Sequence, residues 1–142
     1  FTGRYHFLSN FHPSKLEFEG LQYPTAEHAF QAAKTFNKTE ARRIREASGP
    51  NIAKRLGRDA TLRPDWEKIK DEIMYRVIEA KFTQNPDLKK ALLNTGNEYL
   101  EETNTWKDHY WGVCQGRGKN KLGILLMKLR GNLQAQQDLQ GS

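Results

Sequence analysis

Apolar and polar positions follow two different periods along the chain, and the places where one gives way to the other mark the elements. Leu16-Glu17-Phe18 and Leu21-Gln22-Tyr23 alternate around Glu19-Gly20, which predicts a short hairpin. Upstream, the aromatic-rich run Tyr5 to Phe11 ends at Pro13 and predicts an extended segment followed by a turn. Thr25 after Pro24 predicts a helix start, with Glu27 in its first turn. A charged helix is expected over Lys38 to Arg45, closed by Ser48-Gly49-Pro50, and a shorter one from Asn51 to Leu56, ending at Gly57. Asp65 is read as the cap of the longest helix. In it Trp66, Ile69, Ile73, Met74, Val77 and Ile78 share one arc up to Asn85-Pro86. Asp87 is read as the cap of a helix through Leu93, and Glu98 to Glu101 as an edge strand. Trp106 to Cys114 reads as extended, and Asn120 as the start of a last helix through Leu129. The Gln-rich stretch past Arg130 is expected to fray. The fold class is α+β: a mostly helical single domain, residues 1–132, around a small sheet built from the hairpin and the aromatic segment. Residues 133–142 form a polar tail.

Size and charge narrow the picture. A chain of 142 residues suits one compact domain with a sizeable core. Its 23 Lys and Arg against 17 Asp and Glu give a formal charge of +6, which draws polyanionic ligands. The basic residues concentrate at Arg42, Arg43, Arg45, Lys54, Arg55 and Arg58, and again at Arg117, Lys119, Lys121, Lys128 and Arg130; either group could be a solvated helix face or a phosphate contact. One cysteine, Cys114, excludes an intramolecular disulfide and points to a reducing, cytoplasmic compartment. His6, His12, His28 and His109 lack ligand spacing, so no metal and no cofactor are assigned. Leu122 to Met127 is too short to span a bilayer, no membrane partner is expected, and no signal peptide is read at the N-terminus.

Candidate chemistry lies in three places. At about 100° per residue, Glu27, Gln31 and Lys34 fall on one narrow arc, opposite Ala26, Ala29, Phe30 and Ala33. Such an edge is either an ordinary solvated face or one that works on a polar ligand. Lys81 falls among Met74, Val77 and Ile78 on the apolar arc of the long helix, where it must snorkel, pair with an acid or line a cleft. In the third, Asp108 sits beside Trp106 and Trp111. There a flat heterocycle could stack on indole, Gly112 would admit close backbone approach, and Gly112, Gly116 and Gly118 before Asn120 could present amides to a phosphate. Two indoles in six residues are equally compatible with core packing. Glu27 and Asp108 are the carboxylates whose surroundings suit work on a glycosidic bond.

These segments together resemble the NADAR family, also called YbiA-like proteins. The resemblance runs through Phe7-Leu8-Ser9-Asn10-Phe11 and Tyr23 to Lys34, through Ala80-Lys81-Phe82 with Gln84-Asn85-Pro86, and through Leu92 to Gly96. It continues in Asp108 to Gly112 and Gly118 to Gly123. It implies a YbiA-like fold and an N-glycosidase acting on a ribose C1 joined to an exocyclic amine. The substrate would be ADP-ribosylated guanine in DNA or RNA or, alternatively, a ribosylamino-pyrimidine phosphate of riboflavin biosynthesis; a non-catalytic ADP-ribose-binding module is the third reading. The partner expected is therefore an ADP-ribosylated nucleic acid or a ribosyl-phosphate small molecule. Carried over position by position, the resemblance puts the family's acid on Glu27, its indole on Trp66 and its Asp before Trp-Gly on Asp108, and Lys34 or Lys81 could supply a catalytic amine. Substrate binding is expected of Ser9, Asn10, His28, Gln31, Trp66, Trp111, Gly112, Gly118 and Asn120. Arg63-Pro64 stands before Asp65-Trp66 where many relatives carry a further Trp.

Overall fold

A computed structural model describes residues 1–141. It divides into two compact units, Asn10–Asn85 and a second made of Phe1–Ser9 with the chain from Pro86 onward. Each is described by itself.

In the unit Asn10–Asn85, β1 (Leu16–Phe18) and β2 (Leu21–Tyr23) form the expected antiparallel hairpin, with Leu16 opposite Tyr23 and Phe18 opposite Leu21. Glu19 and Gly20 both take positive φ at the turn, as a tight two-residue hairpin loop requires. Leu16 and Phe18 are buried and Glu17 is exposed, so one face of the hairpin serves the core. Helices α1 (Ala26–Ala32), α2 (Lys38–Arg45), α3 (Pro50–Asp59) and α4 (Trp66–Gln84) complete the unit. Helix α1 packs against α2, α3 and α4, and its alanines are what allow three helices to approach it at once; all seven of its residues are buried. Thr25 caps it as predicted, its hydroxyl accepting the His28 N–H at 3.1 Å.

Helix α4 supplies the central stripe, with Ile73, Met74, Val77, Ile78, Lys81 and Phe82 buried. It begins and ends where its apolar period does, but Asp65 makes no capping bond to its first turn. That carboxylate is taken by Arg63, whose Nε and Nη2 lie 2.7 and 3.1 Å from its two oxygens. Helix α3 runs on through Gly57 to Asp59 rather than stopping there.

In the other unit, a 3₁₀ turn over Gly3–Leu8 replaces the extended segment predicted for Tyr5 to Phe11. Only Leu8 in it is buried, and Ser9 N–H closes onto His6 C=O at 2.9 Å. Helix α5 (Pro86–Asn94) packs on α6 (Lys121–Gln140). The aromatic segment joins no sheet. It forms a loop with isolated bridges, Thr103 to Val113 and Cys114 to Arg117, and residues 98–101 form no strand. The sheet is thus the two-stranded hairpin alone among the described residues. Helix α6 does not fray after Arg130. Leu122, Leu126, Leu129 and Leu133 recur at helical spacing and are all buried, so the stripe outlasts the point at which composition turns polar. Ser142, at the end of the predicted tail, lies outside the described residues.

No described helix is long and apolar enough to cross a membrane. The packing of α6 predicts that Leu133→Ala lowers unfolding free energy by about 2–5 kcal/mol, with an unchanged urea m-value, whereas Leu139→Ala on the exposed end changes it by less than about 0.5 kcal/mol.

Candidate functional site

The edge of α1 that carries Glu27 and Gln31 is not a solvated face. Glu27 is 7% exposed and Gln31 5%. Gln31 Nε2 donates to Glu27 Oε1 at 2.8 Å, one helical turn apart, and the Glu27 N–H donates to Asn10 C=O at 3.0 Å. Asn10 is itself buried and its Nδ2 points at the Met74 sulfur, 3.4 Å away. Among the described residues, two buried side-chain oxygens have no hydrogen-bond partner, Asn10 Oδ1 and Gln31 Oε1. Buried orphan acceptors are uncommon and collect where function sets the geometry.

Lys34 lies one residue past the C-cap of α1, half-buried, at the end of the same edge. Its backbone is held on both sides: its N–H donates to Gln31 C=O at 3.2 Å and its C=O accepts the Arg63 N–H at 2.7 Å. Burial pushes the Lys34 amine below its ordinary value of 10.5, the Glu27 carboxylate opposes that shift, and Lys54, Arg58 and Lys70 add to it. Cations gathered around a half-buried amine and a carboxylate make a positive setting suited to a phosphate-bearing ligand. Aromatic walls flank it. The Lys34 Nζ lies 5.9 Å from the centre of the Phe30 ring, Phe30 packs on Trp66 with centroids 5.2 Å apart, and Lys54 Nζ is 5.9 Å from the Phe11 ring.

Lys81 neither snorkels nor reaches the surface: its side chain is fully buried on α4. Its Nζ sits 5.0 Å from the Phe82 ring centre, and burial drives the amine from 10.5 to about 7. A lysine of that kind is largely available as a neutral amine near neutrality.

Asp108 belongs to the other unit. Its Oδ1 accepts the backbone N–H of Tyr110 at 3.1 Å and of Trp111 at 2.9 Å, so one oxygen shapes the turn that presents Trp111. The Trp111 ring is half-buried and stands edge-on to Tyr110, centroids 4.7 Å apart. Trp106, by contrast, is exposed.

Several expected binding positions have other work. His28 is buried with both ring nitrogens engaged: Nε2 lies 3.0 Å from Ala47 C=O, which requires it to carry the proton, and Nδ1 lies 2.8 Å from Thr25 Oγ1. It ties the start of α1 to the end of α2 and offers a ligand nothing. Asn120 adopts left-handed φ and accepts the Glu102 N–H at 3.0 Å, while its Nδ2 donates to Leu100 C=O at 2.9 Å. That side chain pins the 99–102 strip. Gly112 and Gly118 are small for a reason internal to the loop: a Cβ on Gly118 would strike Gly112 C=O, and one on Gly112 would strike Glu102 C=O. Trp66 is buried at 5% exposure and forms wall rather than platform. Ser9 is half-buried beside the 3₁₀ turn.

Two contributors escaped sequence reasoning. Asn104, 4% exposed, donates to Asp108 C=O at 2.9 Å and accepts the Asp108 N–H at 3.0 Å, building the loop that holds Asp108. Arg63 fastens the Lys34 turn while its guanidinium stacks 4.3 Å from the Phe36 ring centre. The only sequence signal for Arg63 was its place before Asp65-Trp66. Among the described residues no group of three or more His, Cys, Asp or Glu could hold a metal ion.

The family model described as NADAR domain matches residues 1–134. The N-glycosidase YbiA of Escherichia coli (strain K12) is 42% identical over 129 residues, 89% of this chain and 80% of that protein. The riboflavin biosynthesis protein VVA0006 of Vibrio vulnificus (strain YJ016) is 37% identical over 131 residues, 90% of this chain but 35% of that protein. The solved NMR structure of the E. coli protein YbiA superposes with a TM-score of 0.87 at 39% identity, covering 96% of this chain and 82% of that one.

The burial of Lys81 predicts a pH signature. Between about 7 and 10.5 the unfolded chain binds a proton that the folded one has lost, so this residue's contribution makes stability climb as pH rises through that window and adds no slope below about 7. In Lys81→Met that part of the climb disappears, as read from urea unfolding at several pH values.

Proposed function

The chain belongs to the NADAR domain family, and from that premise we propose that it is an N-glycosidase that hydrolyses the bond between ribose C1 and an exocyclic amine on a phosphorylated substrate. The observation that carries this reading is the arrangement along α1. A buried Glu27 is oriented by Gln31, and beside it stands a half-buried Lys34 whose amine is pushed below its ordinary value amid Lys54, Arg58 and Lys70. Proton transfer, an amine and anion binding are then supplied within one unit.

The chemistry proceeds in balanced steps. The glycosylamine opens as the C1–O4′ bond breaks, O4′ takes a proton and C1 becomes an imine with the exocyclic nitrogen. The neutral Lys34 Nζ adds to C1. Glu27 carries a proton from that nitrogen to the exocyclic amine, which leaves as the C1–lysine imine forms. Water then adds to C1, lysine departs, and the sugar recloses. Lys34 takes this role because it is half-buried, whereas Lys81 is sealed. On the direct route a carboxylate steadies an oxocarbenium-like C1 and orients water, and no lysine adduct forms.

The preferred substrate is ADP-ribosylated guanine in nucleic acid, supported by the +6 charge and by a cationic setting able to hold a pyrophosphate. The second reading is a ribosylamino-pyrimidine monophosphate, favoured by the likeness to a relative named for riboflavin biosynthesis. Both substrates are to be offered separately to the purified protein. Release of ADP-ribose from the modified oligonucleotide is expected, and turnover of the monophosphate alone would replace the first reading with the second. Glu27→Gln is expected to lower kcat by about 10²–10⁴-fold. Borohydride added during turnover is expected to fix the sugar on Lys34, mapped by peptide mass. A sugar on Lys81 would transfer the amine's role there, and an active enzyme that yields no adduct would favour the direct route.

A further inference from the structure

The Gln31 amide is oriented by what it faces. An ionised carboxylate only accepts hydrogen bonds, so the amide turns its nitrogen to Glu27 Oε1, 2.8 Å away, and its oxygen must point elsewhere. That oxygen is buried and accepts no hydrogen bond. It lies over Gly57 on α3, the helix packed along this side of α1. A Cβ at Gly57 would run into Gln31 Oε1 and stand 2.8 Å from Gln31 Cδ and 3.0 Å from Gln31 Cβ.

Nothing in the backbone asks for glycine at this point. Gly57 lies inside α3 without positive φ, and glycine there weakens a helix relative to alanine. A buried orphan carbonyl weakens the fold as well. Two independent costs therefore meet at one contact, and what they secure is the direction of the Glu27 carboxylate.

We propose that Gly57 is a positioning residue: by leaving room for the Gln31 amide, it fixes the Gln31–Glu27 hydrogen bond and so the aim of the Glu27 carboxylate at the nitrogens between which it moves a proton. This rests on the reading of Glu27 as the group that moves protons. Gln31 is then a positioning residue too, rather than the substrate-binding contact the resemblance implies. Contact is relayed inward, from α3 to the amide to the carboxylate. Arg58, the next residue on α3, is among the cations acting on Lys34, so the same helix also bears on the amine.

The test uses five variants of the whole chain, assayed on whichever of the two ribosyl substrates the wild type turns over. Gln31→Met keeps the bulk and removes both the donor and the orphan oxygen; kcat is expected to fall about tenfold or more, with KM within about threefold. Gly57→Ala is expected to lower kcat about tenfold or more, because the new methyl displaces the amide. Combined with Gln31→Ala, which opens the space, Gly57→Ala is expected to raise the thermal midpoint above that of Gln31→Ala and leave kcat at the Gln31→Ala value. Wild-type kcat in Gly57→Ala overturns the proposal, as does an equal loss of kcat from Gly57→Ala in both backgrounds. A rise in KM with kcat kept in Gln31→Met also overturns it, making Gln31 a ribose contact. If Gly57→Ala alone does not fold, the Gln31→Met and double-variant arms decide. Full activity in Glu27→Gln would sink the functional reading itself. An inactive Glu27→Gln beside a fully active Gln31→Met would sink only the positioning role.

Discussion

A carboxylate removed from water must be given hydrogen bonds, and much of the unit Asn10–Asn85 is arranged to satisfy that demand at Glu27. Taking an ionised group into a low-dielectric interior costs far more than any one contact returns unless partners are held ready. Here the partner is Gln31, one turn along the same helix, so the distance between the two is set by helical geometry rather than by a flexible loop. The helix must in turn be gripped tightly enough to keep water out. Its alanines let α2, α3 and α4 close on it, and its N-terminus is secured twice, by the Thr25 cap and by the buried His28 bridge to Ala47. An alanine-rich helix that looks unremarkable in composition thus becomes a rigid mount for one charged group.

The two lysines illustrate how burial differentiates identical side chains. Lys34 follows the last turn of α1, with its backbone pinned by Arg63 but its amine only half-buried. Lys81 sits near the end of the α4 stripe, below Val77 and Ile78, and burial brings it to about 7. In Lys34 the Glu27 carboxylate opposes the same effect and Lys54, Arg58 and Lys70 reinforce it. Amines held below their ordinary range are the ones that can act as nucleophiles near neutral pH, and an accessible one meets the further requirement of reaching a ligand.

Much of this organisation was legible in the sequence wherever a single period or cap decided it. The hairpin, the Thr25 cap and both ends of α4 follow from alternation, hydroxyl placement and an apolar stripe. Predictions failed where long-range partners took over a local signal. Asp65 looks like a helix cap, yet Arg63 claims its carboxylate. The aromatic run Trp106 to Cys114 reads as a strand, but Asn104 and Asp108 fold it into a loop through side-chain bonds that no periodicity encodes. At the site, the arc joining Glu27, Gln31 and Lys34 was readable. That the arc is buried was not, because burial depends on α3 and α4 arriving against it.

The orphan oxygens connect these threads. Asn10 Oδ1 and Gln31 Oε1 are the buried side-chain acceptors left without partners among the described residues, and both residues bond to Glu27, Asn10 through its backbone carbonyl and Gln31 through its side-chain amide. A fold tuned for stability alone would leave neither oxygen unsatisfied, since a buried acceptor without a partner costs its desolvation. Both oxygens belong to residues bonded to Glu27, whereas Leu122, Leu126, Leu129 and Leu133 of α6 bury no polar side-chain atom at all.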